Sequence, residues 1–176
     1  MTQSQIDGQA LGPYRVLDLT EGGFNWCGKV LADLGADVVK VEPPGGSPTR
    51  SVGPFVDGEA GPDRSLFWAA YCANKRGVTI DLDSRDGRDQ LVRLVSGADI
   101  LIESFRPGLL EGLGLGYSDL SAVNPGLVYT SITPYGQTGP YSQHEAPDLV
   151  AWSMGGMQYI CGDARPSAGP GQCPAG

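Results

Sequence analysis

The chain has 176 residues, enough for one ordinary domain, and its 40 % apolar and 18 % charged content excludes global disorder. Twelve basic against twenty acidic residues leave a formal charge of −8, which excludes an unassisted nucleic-acid binder while leaving room for one basic pocket. The 27 glycines and 14 prolines point to many loops rather than a helical bundle.

Residues 1–13, polar with Gly and Pro, read as a loose lead-in. Residues 14–19 form a short β-rich run, broken by Thr20-Glu-Gly-Gly23. A helix follows: Trp26, Val30, Leu31 and Leu34 fall on one face at near-3.6 spacing, and Gly35 suits the left-handed stop. Residues 37–42 are the second strand, ended by Pro43-Pro-Gly-Gly46. The polar, Gly/Pro-rich stretch 43–64 is long for a loop inside a domain, which marks it as functional or mobile.

Leu66, Phe67, Ala70 and Tyr71 mark a helix ending near residues 74–77, and residues 78–82 are the third strand. Asp83 or Ser84 can cap a helix that buries Leu91, Leu94 and Val95 and closes at Gly97. Residues 99–103 form the fourth strand, two helical turns fit 109–113 and 118–123, and residues 127–133 form the fifth strand. A last helix covers 147 to about 158, with Leu149, Ala151, Trp152 and Met157 apolar. Residues 162–176 read as an irregular tail, so the chain looks cut rather than completed.

Short apolar strands alternating with amphipathic helices predict an α/β fold over 14–161: a Rossmann-like, open, doubly wound, mainly parallel sheet with helices on both faces. No apolar run approaches the roughly 20 residues of a membrane span. Residues 1–7 show no basic segment followed by an apolar one, so no signal peptide is expected and the cytoplasm is the default. Cys27, Cys72, Cys161 and Cys173 form no C-x-x-C pair and His144 is the only histidine, so no metal site is expected.

In such a sheet ligands bind outside the carboxyl ends of the strands, here residues 20–24, 42–46, 81–83, 103–108 and 133–139. Thr20, Glu21, Gly22, Gly23 and Phe24, with Glu42 about 20 residues on, match half of a dinucleotide fingerprint and suggest a small NAD-binding oxidoreductase domain. The full G-x-G-x-x-G is absent, and glycines required only for a tight turn are the competing explanation. Lys75 and Arg76 before one strand, with Phe105 and Arg106 after another, would suit an adenosine phosphate; an ordinary solvated turn is the alternative. Asp148, beside His144 and Glu145, opens the last helix as a cap, a dipole partner or a catalytic carboxylate. One histidine leaves no Ser–His–Asp arrangement to assemble.

Taken in order, several segments resemble the class III CoA-transferase family, which includes formyl-CoA transferase, carnitine CoA-transferase and the related α-methylacyl-CoA racemases. They are Val16-Leu-Asp-Leu-Thr20, the run from Leu31 to Gly46 (LADLGADVVKVEPPGG), Asn74-Lys-Arg76 with Asp81-Leu82, Glu103-Ser-Phe-Arg-Pro-Gly108, Asn124-Pro125, and Tyr135-Gly-Gln-Thr-Gly-Pro140 followed by Asp148. Each is weak alone; the ordered set over about 12–165 is specific.

The resemblance implies a Rossmann-like domain that binds coenzyme A and transfers it between acyl-CoA thioesters and small carboxylic acids through an aspartyl intermediate, a covalent route that splits one hard exchange into two easier ones. It implies CoA contacts at Thr20, Glu21, Gly22, Gly23 and Phe24, at the strand end marked by Ile80, and at Ser104, Phe105 and Arg106. It matches Asp148 to an active-site carboxylate, and it implies homodimers or a complementary C-terminal half. Family members are roughly twice this length. The position expected to carry the nucleophile is Ala175, no Asp follows Asp163, and Pro147 breaks the racemase-type His–Asp pair. The resemblance therefore implies an N-terminal portion that is inactive alone, or else a non-catalytic CoA-binding or assembly module.

Overall fold

Parallel strands buried on both faces need apolar side chains at nearly every position, and that demand selects the sheet. The computed structural model describes residues 9–61 and 63–161. Residues 1–8 of the expected lead-in and the whole expected tail lie outside them, and with the tail Cys173, Ala175 and the 162–176 boundary. The elements are β1 (Arg15–Leu19), α1 (Asn25–Asp33), β2 (Asp37–Glu42), α2 (Leu66–Cys72), β3 (Arg76–Thr79), α3 (Arg85–Val95), β4 (Ile100–Glu103), α4 (Leu109–Gly112), α5 (Tyr117–Val123), β5 (Val128–Ser131), α6 (Asp148–Met154) and α7 (Met157–Ile160).

The described strands form one all-parallel sheet in the order β3-β2-β1-β4-β5. The chain winds outward from β1 through β2 to β3, then returns to place β4 on the other side of β1. The switch point therefore lies between β1 and β4, where Leu17 pairs with Leu101 and Leu19 with Glu103.

Side chains alternate across the sheet, so each face owns a separate core. Leu17, Leu19, Val39, Val41 and Leu101 pack with Leu91 and Val95 of α3 and Leu120 of α5 on one face. Val16, Val38 and Ile102 pack with Ala32 of α1 and with Ala36 on the other. Ser84 caps α3 as expected, its hydroxyl accepting from the Gly87 N–H (3.0 Å). Asn124 closes the far end, donating to the carbonyls of Val95 and Ala98 (2.9 and 2.7 Å).

Three elements depart from expectation. In α1 most of the predicted apolar stripe is turned outward: Trp26 is 56 % exposed and Leu34 47 %, while Leu31 alone of the four packs on the core and Asn25, Gly28 and Ala32 are buried. Small residues let the helix lie close on the sheet, and Trp26 packs edge-on against Tyr71 of α2 instead. The third strand runs over Arg76–Thr79 rather than 78–82, because Asp81 turns the chain, its carboxylate accepting from the Asp83 N–H (3.1 Å). The last helix breaks into α6 and α7 at Gly156, whose φ of 80° is left-handed, and neither piece buries a residue.

Candidate functional site

Beyond the switch point the loops after β1 and β4 meet. The Glu21 N–H donates to Ser104 Oγ (2.9 Å), joining two lips that are 83 residues apart in sequence. On the first lip, Gly22, Gly23 and Phe24 form a single 3-10 turn leading into α1, with Phe24 41 % exposed. On the second, Glu103 is buried and its Oε2 accepts from the Phe105 N–H (2.7 Å), which fixes the turn carrying Ser104, Phe105 and Arg106. Burial pushes the Glu103 carboxyl above the ordinary carboxylate range, with the Ser131 hydroxyl and the Phe105 amide opposing.

A buried ionic network forms the floor under the first lip. Asp18 Oδ1 accepts from the Thr20 N–H and hydroxyl (2.9 and 2.6 Å), and its Oδ2 accepts from Lys75 Nζ at 2.7 Å. Lys75 also donates to the Asn25 carbonyl (2.7 Å), and Lys40 Nζ donates to the Thr20 carbonyl. Both ammonium groups and the Asp18 carboxylate are almost wholly out of solvent. Gly28 makes room for them: a Cβ there would stand 2.1 Å from Asp18 Oδ2.

The 43–64 stretch folds over the same end of the sheet. Thr49 Oγ1 accepts from the Gly22 N–H (3.0 Å) and donates to Glu21 Oε2 (2.9 Å), and the Ser47 hydroxyl donates to the same carboxylate oxygen. Arg50 grips Glu42 with Nε and Nη2 (2.7 and 2.9 Å), holding the Glu42 carboxyl below its usual range. The guanidinium lies over the Trp68 ring, 4.1 Å from its centroid.

These contacts correct two expectations. Lys75 and Arg76 do not form a cation pair facing a ligand. Lys75 is sealed against Asp18, and Arg76 pairs with Asp37 (2.6 Å), where both residues open their strands, at the opposite end from the crevice. Glu42, the ribose partner in the dinucleotide reading, has both oxygens engaged by Arg50, which removes the residue that motivated NAD.

Ile80 is buried, and its N–H donates to the Glu42 carbonyl (2.8 Å). Arg106 is exposed and paired with Glu145, bringing the loop before α6 to the second lip. Asp148 stands exposed in the first turn of α6, three residues past Glu145. His144 is exposed and packs edge-on to Tyr141. Among the described residues no group of three or more His, Cys, Asp or Glu side chains gathers to hold a metal.

The ordered loops around this switch point match a known pattern: the profile of CoA-transferase family III covers residues 11–173. The chain belongs to CoA-transferase family III. It is 44 % identical over 155 residues to the succinyl-CoA:(R)-benzylsuccinate CoA-transferase subunit BbsE of Thauera aromatica, covering 88 % of this chain and 38 % of that protein. It is 42 % identical over 163 residues to succinyl-CoA–D-citramalate CoA-transferase of Chloroflexus aurantiacus, covering 90 % of this chain and 39 % of that protein. Among solved structures, a CAIB/BAIF family protein from Brucella suis superposes with a TM-score of 0.81 at 38 % identity, covering 95 % of this chain and 44 % of that one. This family member thus spans well under half the length of the relatives it matches.

Sequence reasoning about the family III chain missed Asp18, Lys40 and Arg50. Lys40 carried a signal, since a lysine amid Val38, Val39 and Val41 in a doubly buried strand must find an internal partner. Arg50 carried none, because its partner Glu42 and its stacking ring Trp68 are separated from it by loop.

Proposed function

We propose that this chain is the CoA-binding part of a class III CoA-transferase, acting on acyl-CoA thioesters and small carboxylic acids. The supporting observation is the Glu21–Ser104 hydrogen bond, which gathers residues 20–24 and 104–106 into one crevice at the switch point. In the reaction an Asp carboxylate attacks the thioester carbonyl, releasing CoA thiolate and leaving an acyl–aspartyl anhydride. The thiolate then attacks the aspartyl carbonyl, freeing the first acid and leaving an aspartyl–CoA thioester. The incoming acid reverses both steps and leaves with CoA. The exposed backbone of Gly23, the exposed Phe24 ring and the Arg106 guanidinium are the groups available to an adenosine phosphate, with the half-buried Phe105 ring packed against the core beside them; Asp148 is the carboxylate that the family resemblance matches to the active site.

The family resemblance puts Ala175 where the nucleophile is expected, and on that reading this chain alone exchanges no acyl groups. Titration calorimetry with CoA tests the reading: binding supports it, whereas no heat and no thermal shift at millimolar CoA rejects it. Robust acyl exchange by the chain alone would refute the inactivity.

The second reading, an assembly module, is favoured by α6 and α7, where Leu149 is 71 % and Tyr159 80 % exposed on helices that bury nothing. A complementary chain or a second copy would cover them, and relatives include the alpha and beta subunits of a succinyl-CoA–L-malate CoA-transferase. A cytoplasmic setting suits the free thiols of Cys27, Cys72 and Cys161.

A further inference from the structure

We propose that the hollow within the 43–64 loop is a carboxylate site, in which the outer edge of Arg50 takes the anionic group of a short organic acid. The hollow has a volume of 430 Å³ and is lined by Gly45, Ser47, Arg50, Ser51, Phe55 and Gly61. That volume falls in the range of small-molecule sites, roughly 300–1,000 Å³.

Arg50 is held rigid before any ligand arrives. Its Nε and Nη2 are fixed by both oxygens of Glu42, and one face of its guanidinium lies on Trp68. The remaining edge carries Nη1, whose acceptor is Asp63 Oδ1 at 2.9 Å. The Asp63 side chain is 87 % exposed, so this contact is a surface pair that an incoming carboxylate displaces at small cost. Asp63 competes with a ligand's carboxylate for this edge of a guanidinium whose fork suits planar oxyanions.

Charge and shape narrow the ligand. Glu42 already neutralises Arg50, so the edge offers directed hydrogen bonds without excess positive charge; that favours a carboxylate group, with one charge at the guanidinium even when it is one end of a diacid, over a phosphate dianion. Phe55 supplies an apolar wall for a short carbon chain, and Ser51 a hydroxyl. Ser47 connects the hollow to the crevice, since its hydroxyl donates to Glu21, whose N–H holds Ser104. An acid seated on Arg50 is therefore a neighbour of the lips proposed to hold CoA. Its role as the acid of the exchange rests on the transferase reading; its binding does not.

The test is a succinate titration of the ¹⁵N-labelled chain, following the Arg50 Nε–H signal and the Ser51 and Gly61 amides. Succinate is expected to move these signals, and Asp63→Asn to tighten binding roughly two- to fivefold by removing the competing carboxylate. Asp57→Asn removes an equally exposed charge that pairs with Arg64 rather than Arg50, and is expected to leave the affinity unchanged. The proposal is overturned if the Arg50 signal stays still at millimolar succinate, if both variants tighten binding equally, or if inorganic phosphate binds as tightly. A parallel CoA titration separates the two readings. Succinate binding without CoA binding removes the transferase reading and keeps this site, and CoA binding without succinate binding removes this site alone.

Discussion

Asp18 and Lys40 are register partners on β1 and β2, both buried, yet the closer ammonium on Asp18 belongs to Lys75, at 2.7 Å against 3.8 Å. The Asp18 carboxylate thus serves two buried cations under the lip that begins at Thr20, and Glu21 Oε1 also stands 4.0 Å from Lys40. Asp18→Asn is expected to cost about 3–5 kcal/mol, because it leaves the Lys75 ammonium uncompensated out of water and Lys40 with only the Glu21 carboxylate, 4.0 Å away. The Asp18→Asn, Lys75→Met pair should recover part of that loss. Urea unfolding of the single and double variants measures the coupling, and strict additivity would show that the two side chains act independently.

The same network sets the position of α1. A methyl group at Gly28 would fall 2.1 Å from Asp18 Oδ2 and 3.1 Å from Lys75 Nζ, neither of which can move aside without losing its partner. Gly28→Ala, which helix propensity alone would make stabilising, is expected to destabilise by about 1–3 kcal/mol. A thermal melt showing a raised midpoint would contradict the close approach.

This packing explains what the sequence disclosed and what it hid. The run Asp37–Glu42 reads as a strand because three β-branched residues, Val38, Val39 and Val41, are bounded by Asp37 and Pro43, and it pairs in parallel with β1 and β3. The Ser84 cap is equally local. The face of α1 was not legible, because periodicity weighs Trp26 and Leu34 as core, whereas the helix docks through Gly28 to clear an ion pair whose partners are 57 residues apart. Lys75 and Arg76 read as ligand cations for the same reason: their acids, Asp18 and Asp37, are distant in sequence and adjacent only across the sheet. The lips at residues 20–24 and 104–106 were legible because the carboxyl ends of parallel strands are fixed by topology.

Two carboxylates give opposite pH signatures. Hydrogen bonds from Arg50 lower the Glu42 pKa, so its contribution is present above the ordinary value of 4.5 and is lost as pH falls through the lowered one. Burial raises the Glu103 pKa, so the protonated form's advantage is complete below 4.5 and disappears as pH rises through the raised value. Glu42→Gln should therefore reduce the loss of stability on acidification, and Glu103→Gln should reduce the loss on going from mildly acidic to neutral pH. Urea midpoints collected across that range check both slopes, and a Glu103→Gln protein with the parent's profile would show that Glu103 titrates normally.

The crevice itself is tested at its second lip. Arg106 is held by Glu145, an exposed pair that competes with any phosphate for the same guanidinium. If the loop after β4 receives CoA, Glu145→Gln frees Arg106 and is expected to tighten CoA binding roughly two- to fivefold, with a steeper loss of affinity in salt. Ser104→Ala removes the hydroxyl that accepts from the Glu21 N–H, and should weaken CoA binding by about 1 kcal/mol, roughly fivefold, while leaving the melting temperature nearly unchanged. Calorimetric titration of both variants against the parent decides the matter. Equal affinities across all three proteins would place CoA away from these lips, because neither the cation nor the bridge between the loops would then be felt by the ligand.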